Sequence, residues 1–163
     1  SDVVFRNCDF SNADLLGCTE FYLYLQKMRF EDRFFYKIIV EDEELKKSII
    51  PKFVIEPIVE NAVIHGIENI ENEGVIRIVL KKMGTDLLVT VQDNGAGFDV
   101  KEYFNSLEQA ENGSSREKIG LKNVDLRLRH IYGEEYRIKI KSKINTGTTI
   151  YIKIPIEERE ENV

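Results

Sequence analysis

A run of apolar alternation through Leu87, Val89 and Val91 ends at Asp93, and the tetrapeptide "NGAG" follows at residues 94–97. Successive side chains of a strand point to opposite faces, so parity puts the Asp93 carboxylate on the same face as those three apolar residues. A carboxylate aimed into a covered layer costs on the order of several kcal/mol unless something donates to it. Two donors suit the position: a backbone amide of the following turn, or the exocyclic amine of a nucleobase helped by water. Gly95 and Gly97 remove side chains where a planar ring would lie against the backbone. Glycine at the third and fifth positions of a loop counted from Asp93 rules out a calcium loop, which needs oxygen ligands there.

Two further stretches carry residues suited to phosphate chemistry. In "VENAVIHG", Asn61 and His65 are one helical turn apart and share a face, with Glu60 about 100° around the helix. The neutral oxygen of an asparagine suits a hydrated magnesium ion, and a glutamate can orient or deprotonate a nucleophile. His65, taken alone, fits a helix-end cap as well as a ligand contact. In "KIGLKNVDLRL", Gly120 is expected to open a helix whose first-turn amides face an anion, with Arg116, Lys118 and Lys122 around that end. Neither a Walker A pattern nor a complete G-x-G-x-x-G occurs.

The elements that must hold these residues follow from the apolar period. Phe21, Tyr24, Leu25 and Met28 predict a helix over 20–30, and a strand is expected in 34–41. "IIPKFVIEPIVENAVIHGIE" reads as a helix opened by Pro51 and closed near Gly66, bent or broken at Pro57. Strands are predicted from 74 (Ile76, Ile78 and Leu80 on one face), over 86–93, over 134–142 (Tyr136, Ile138 and Ile140 inward) and at the end (Thr148, Ile150, Ile152 and Ile154 inward). Two helices lie between the strand pairs. One is capped by Asp99 with Glu102 reaching back and buries Tyr103, Phe104 and Leu107; the other, 120–132, places Leu121, Val124, Leu128 and Ile131 on one stripe and ends at Gly133. Residues 111–118 have no period and read as a mobile loop. Strands with one apolar and one wet face imply a two-layer α/β sandwich: a mixed, mostly antiparallel sheet covered on one face by about three helices.

Composition bounds the function. The 163 residues are 42% hydrophobic and 32% charged with a net charge of −6, ordinary for a soluble globular chain and unfavourable for an extended nucleic-acid surface. No apolar run approaches the roughly 20 residues of a membrane span. Cys8 and Cys18 have no ligand cluster around them, so a zinc site is not expected and reduced thiols are. The chain opens on Ser1 rather than Met, which suggests a piece of something longer.

Taken in order, "PKFVIEPIVENAVIHG", "VTVQDNGAGFD", "IGLKNVDLRLRHIYG" and "TGTTIYIKIPI" resemble the ATP-binding domain of the GHKL superfamily, whose fold is the Bergerat α/β sandwich. Within it they look like bacterial sensor histidine kinases of the LytS/YesM type, and "FYLYLQKMRFEDRF" resembles the segment leading in from the dimerisation helices. The resemblance covers residues 20–156. It implies that the chain binds ATP and Mg²⁺ and delivers the γ-phosphoryl group to a histidine on a dimerisation domain absent from it, so that the isolated chain does not autophosphorylate efficiently. By motif, Asn61 would coordinate Mg²⁺, Glu60 would assist transfer, and His65 would lie near the phosphates. Asp93 would accept from the adenine amine, Gly95 and Gly97 would line the base pocket, Gly120 and Leu121 would belong to the phosphate-side box, and Thr148 would lie near the adenine.

Two positions depart from the family pattern: Lys118 stands where the third box has its first glycine, and Ile64 where a lysine precedes the histidine. Lys118 could replace the charge missing at Ile64. The implied organisation is a linker segment at 1–30, the catalytic domain at 31–157 and a charged tail at 158–163. The implied setting is a cytoplasmic domain of a membrane-anchored homodimeric parent that signals to a response regulator. A degenerate, non-catalytic interaction module is the alternative, as is another GHKL ATPase such as an anti-sigma-type serine kinase.

Overall fold

The computed structural model describes residues 15–30, 33–48, 52–67, 73–109 and 116–156. Five strands form one sheet: β1 (Phe34–Val40), β2 (Gly74–Met83), β3 (Asp86–Asp93), β4 (Lys139–Lys143) and β5 (Gly147–Pro155), in the spatial order β1-β2-β3-β5-β4. Only β1 and β2 run parallel; the other neighbours are antiparallel. Parallel neighbours need a crossover, and the helix between them in sequence provides it. The described helices are α1 (Leu15–Arg29), α2 (Lys52–Asn61), α3 (Val100–Gln109) and α4 (Arg116–Tyr132), with a short 3₁₀ turn at Glu43–Lys47 capped by Asp42.

Period-two alternation builds the covered face of the sheet. Ile76, Ile78 and Leu80, then Leu87, Val89 and Val91, then Ile150, Ile152 and Ile154 are all buried, together with Phe34 from β1. Val54, Ile55, Ile58, Val59, Ala62 and Val63 form one stripe along α2 and its extension, and Leu121, Val124 and Leu128 form the inner stripe of α4. These helices close the core over one face of the sheet, which is the expected two-layer sandwich.

Several element boundaries differ from the sequence expectation, each for a local reason. The first helix begins at Leu15, earlier than 20, and its buried anchor is Leu23, whereas Phe21, Tyr24, Leu25 and Met28 lie 40–63% exposed. Pro57 sits inside α2 without ending it; the helix departs from α geometry only after Asn61, widening into a π-helical turn at Ala62–Ile67. The strand expected over 134–142 is Lys139–Lys143, because Asp125 on α4 takes the Ile138 amide at 3.1 Å and a Gly133–Tyr136 turn takes up the preceding residues. Phe104 and Ile131, expected in the core, are 41% and 53% exposed. Pro51, residues 111–115, the tail 158–163 and the side chain of Leu107 lie outside the described residues.

Candidate nucleotide site

Asp93 closes β3, and strand parity turns it inward as expected: the residue is 5% exposed. Its Oδ1 accepts hydrogen bonds from the Gly95 amide at 2.9 Å and the Thr148 amide at 3.3 Å. Among the described residues Oδ2 receives none. Of the two donors the sequence left open, the turn amide is therefore present, and it occupies only one oxygen. Burial pushes the Asp93 carboxyl up from 3.8 to about 6, against the opposing pull of the two amides. At neutral pH the group is still mostly ionised and can accept a hydrogen bond from a ligand amine.

The loop after Asp93 is held on three sides. Asn94 bridges to the start of β2, accepting from the Val75 amide at 2.6 Å and donating to the Glu73 carbonyl at 3.1 Å. The Ala96 amide donates to the carbonyl of Gly66 at the end of the widened α2 turn (3.1 Å), and the Ala96 carbonyl accepts from the Asn145 amide of the β4–β5 hairpin (2.6 Å). These contacts give the two glycines a role in backbone packing. A Cβ on Gly95 would overlap the Gly66 carbonyl, and one on Gly97, whose φ is +60°, would overlap the Lys143 carbonyl. Their missing side chains admit neighbouring backbone at these two points.

The other residues singled out in sequence divide into two groups. Gly66 packs its Cα against Asp93, where an added Cβ would lie 2.9 Å from Cγ, so the end of the α2 segment abuts the carboxylate. That places Glu60 (exposed), Asn61 and His65 (both half-buried) on the helical segment that leads directly to Asp93. The π-helical turn starts at Ala62, between Asn61 and His65. Thr148 is buried opposite Asp93 in the β3–β5 register.

Gly120 does not open a helix. Because α4 starts at Arg116, Gly120 lies in its second turn; the nearest atom to the place a methyl group would take there is Pro57 Cβ, at 4.0 Å, and Leu121 is a core residue at 2% exposure. The expectation of a ring of free first-turn amides at Gly120 is therefore corrected: four helical residues precede it. The side chains of Arg116 and Lys118 lie outside the described residues.

Three contributors were not singled out by the sequence reasoning. Ser142 Oγ accepts from the Phe98 amide at 2.9 Å and is 2.8 Å from Thr148 Oγ1, tying β4 to the loop. Gly147 has φ +124°, and a Cβ there would overlap the Asp93 carbonyl. Tyr22 lies on α1, which packs against α2, and its hydroxyl is pushed up to about 12 by burial and by the negative charges of Glu60 and Glu56. Gly147 adjoins Thr148 in the quoted "TGTTIYIKIPI"; for Ser142 and Tyr22 the local sequence held no clue. Asp99 caps α3 as expected, accepting from the Glu102 amide at 2.9 Å, and the Phe98 ring packs at a tilt of 42° against Tyr103 with centroids 5.1 Å apart.

A group of three or more His, Cys, Asp or Glu side chains able to cage a metal is absent among the described residues. A magnesium ion here would take protein oxygen from Asn61 and the rest from ligand phosphates and water, which is how that ion commonly binds.

Residues 47–158 match the family described as histidine kinase-, DNA gyrase B-, and HSP90-like ATPase. The sensor histidine kinase YesM of Bacillus subtilis is 34% identical over 134 residues, covering 82% of this chain and 22% of that protein. The sensor histidine kinase/phosphatase LytS of Staphylococcus aureus is 32% identical over 141 residues, covering 86% of this chain and 24% of that protein. This chain thus spans under a quarter of the length of either relative. The catalytic domain of histidine kinase ThkA superposes with a TM-score of 0.64 at 19% identity, over 88% of this chain and 92% of that one. A second ThkA structure, in complex with the response regulator protein TrrA, gives 0.62 at 16% identity, over 91% and 41%. The chain belongs to the histidine kinase-, DNA gyrase B- and HSP90-like ATPase family, as an ATP-binding domain of the sensor histidine kinase type.

Proposed function

We propose that this chain binds Mg·ATP beside Asp93 and, in its parent protein, presents the γ-phosphoryl group to a histidine on a dimerisation domain. The observation that carries this is the state of one carboxylate: buried, fixed through Oδ1 by two backbone amides, and with Oδ2 receiving no hydrogen bond among the described residues. A carboxylate oxygen left open in this way favours the amino group of adenine over the carbonyl of guanine, which would leave both oxygens facing each other.

The roles assigned to the remaining residues follow the family motif. Gly95, Gly97 and Thr148 hold the walls of the base site, Asn61 supplies oxygen to Mg²⁺, and His65 and Lys118 lie towards the phosphates. Glu60, exposed on α2, orients the acceptor imidazole or takes its proton. A bound magnesium ion would neutralise phosphate charge; the chain's own task is to position the nucleotide and exclude alternatives, which accounts for most of the catalysis in phosphoryl transfer. Residues 1–30 would form the link to the dimerisation domain and 31–157 the catalytic domain. The parent would be a membrane-anchored homodimer that passes the phosphoryl group to a response regulator, the kind of protein with which ThkA is seen in complex.

A second reading, a signalling module that no longer turns over ATP, draws on α4: its first turn already includes Lys118, so the glycine-bearing box is helical. Calorimetric titration with a non-hydrolysable ATP analogue and Mg²⁺ separates the two. Saturable binding that is lost with the GTP counterpart supports the kinase reading; no saturation at millimolar ligand supports the module.

A further inference from the structure

The face of the sheet turned away from the helices is strongly basic in a chain whose net charge is −6. The register sets its outward side chains in rows across the strands. One row is Phe35–Val75 at one edge and Lys143 at the other. The next is Lys37–Arg77–Gln92–Thr149–Lys141, and the third is Ile39–Val79–Thr90–Tyr151–Lys139. No acidic residue occupies an outward strand position in these three rows, whereas the five cations Lys37, Arg77, Lys139, Lys141 and Lys143 are all exposed. The acids of this face lie beyond them, where Glu41 pairs with Lys81 at 3.4 Å and Asp86 with Lys153 at 3.3 Å.

That arrangement is unfavourable for the isolated fold. Lys37 and Arg77 are direct cross-strand neighbours, and Lys139, Lys141 and Lys143 repeat on one side of an edge strand, so like charges repel with no acidic side chain between them among the described residues. Lys141 is offset only by the Tyr151 ring, 5.5 Å away. An external anionic surface would relieve the repulsion. Four of the five cations are lysines, which act as mobile point charges rather than planar forks, and so suit a fluid array of headgroups better than one fixed carboxylate or phosphate. At the rim of the same face, Phe35 and Val75 are registered neighbours, 47% and 43% exposed, with Lys27 Nζ 4.8 Å above the Phe35 ring. Basic residues beside an exposed aromatic and aliphatic pair are the chemistry of attachment to an anionic bilayer surface.

We propose that the open face of the sheet is a peripheral docking surface for a bilayer rich in anionic lipid, with Lys37, Arg77, Lys139, Lys141 and Lys143 against headgroups and Phe35 and Val75 at the acyl boundary. Nothing in this depends on nucleotide binding, because Asp93 points to the opposite face. Co-sedimentation with vesicles of phosphatidylcholine alone and of phosphatidylcholine with about 30% phosphatidylglycerol tests it. Binding is expected only to the anionic vesicles and is lost at high salt; Lys37/Lys139/Lys141→Gln weakens it by about 100-fold at roughly one lysine contact each, with an unchanged melting temperature. Phe35→Ser weakens it further without altering the salt dependence. Equal binding to both vesicle types, or anionic binding unaffected by the triple variant, overturns the proposal. So does retention on DNA or polyglutamate, or self-association in sedimentation, without vesicle binding.

Discussion

Two of the four glycine-bearing segments that carry the family resemblance stand under opposite constraints. At residues 93–99 the backbone is enclosed: Gly95 meets the Gly66 carbonyl, Gly97 meets the Lys143 carbonyl, and Asn94 and Ala96 are bonded to three different elements. At residues 118–121 the chain is ordinary helix, and a methyl group on Gly120 would meet nothing closer than Pro57 Cβ at 4.0 Å, an ordinary contact. The same residue type therefore marks a mandatory close approach in one place and a tolerated vacancy in the other. A glycine in a motif identifies a requirement only when the surrounding backbone removes the alternative.

The largest effect expected from this contrast is at Gly95. Gly95→Ala forces a methyl group into the Gly66 carbonyl and should cost more than about 3 kcal/mol, read as a lowered denaturant midpoint. A loss below about 1 kcal/mol would mean that the loop is far less enclosed than these contacts require.

Asp93→Asn separates site from scaffold. Asparagine keeps an Oδ1 for the Gly95 and Thr148 amides but replaces the free acceptor with a donor, so adenine nucleotide affinity should fall about 100-fold or more in calorimetry. Stability should move the other way. The folded carboxyl has its pKa raised from 3.8 to about 6, so the folded state binds protons more tightly than the unfolded one. The resulting destabilisation is fully present above pH 6 and disappears as pH falls towards 4. The variant should thus be more stable at pH 7, by up to about 3 kcal/mol for a shift of about two pH units, and the gap should close by pH 4.

Ser142→Ala removes the acceptor for the Phe98 amide and the partner of Thr148, and should cost about 1–2 kcal/mol in thermal or chemical unfolding. Gly120→Ala gives the smallest effect and the opposite sign. A helix-interior glycine with room for a methyl should gain about 0.5–1 kcal/mol on substitution. Destabilisation at that position would restore the looped, phosphate-side reading of the third box.

The inward turn of Asp93 was legible because period-two patterning leaves no freedom once Leu87, Val89 and Val91 are buried. The sandwich followed from the same patterning, since Ile76, Ile78, Leu80, Ile150, Ile152 and Ile154 all fall on the covered face. Helix starts were less legible. Arg116–Ile119 carries no apolar period, and a glycine four residues in resembles a boundary while the helix runs through it. The 21/24/25/28 stripe has helical spacing but faces outward, because spacing fixes the existence of a face and only packing decides which face is covered. Gly66 and Ser142 act through hydrogen bonds to Ala96 and Phe98, far along the chain in each case, and local sequence holds no record of them.

The most direct test is to titrate the Asp93 side-chain carboxyl by carbon-detected NMR, with and without saturating Mg·ATP analogue. In the free protein the midpoint should lie near 6, and bound nucleotide should lower it, because an adenine amine donating to Oδ2 favours the charged form. A midpoint at the ordinary aspartate value, or one that saturating nucleotide leaves in place, would contradict a buried carboxylate that recognises adenine.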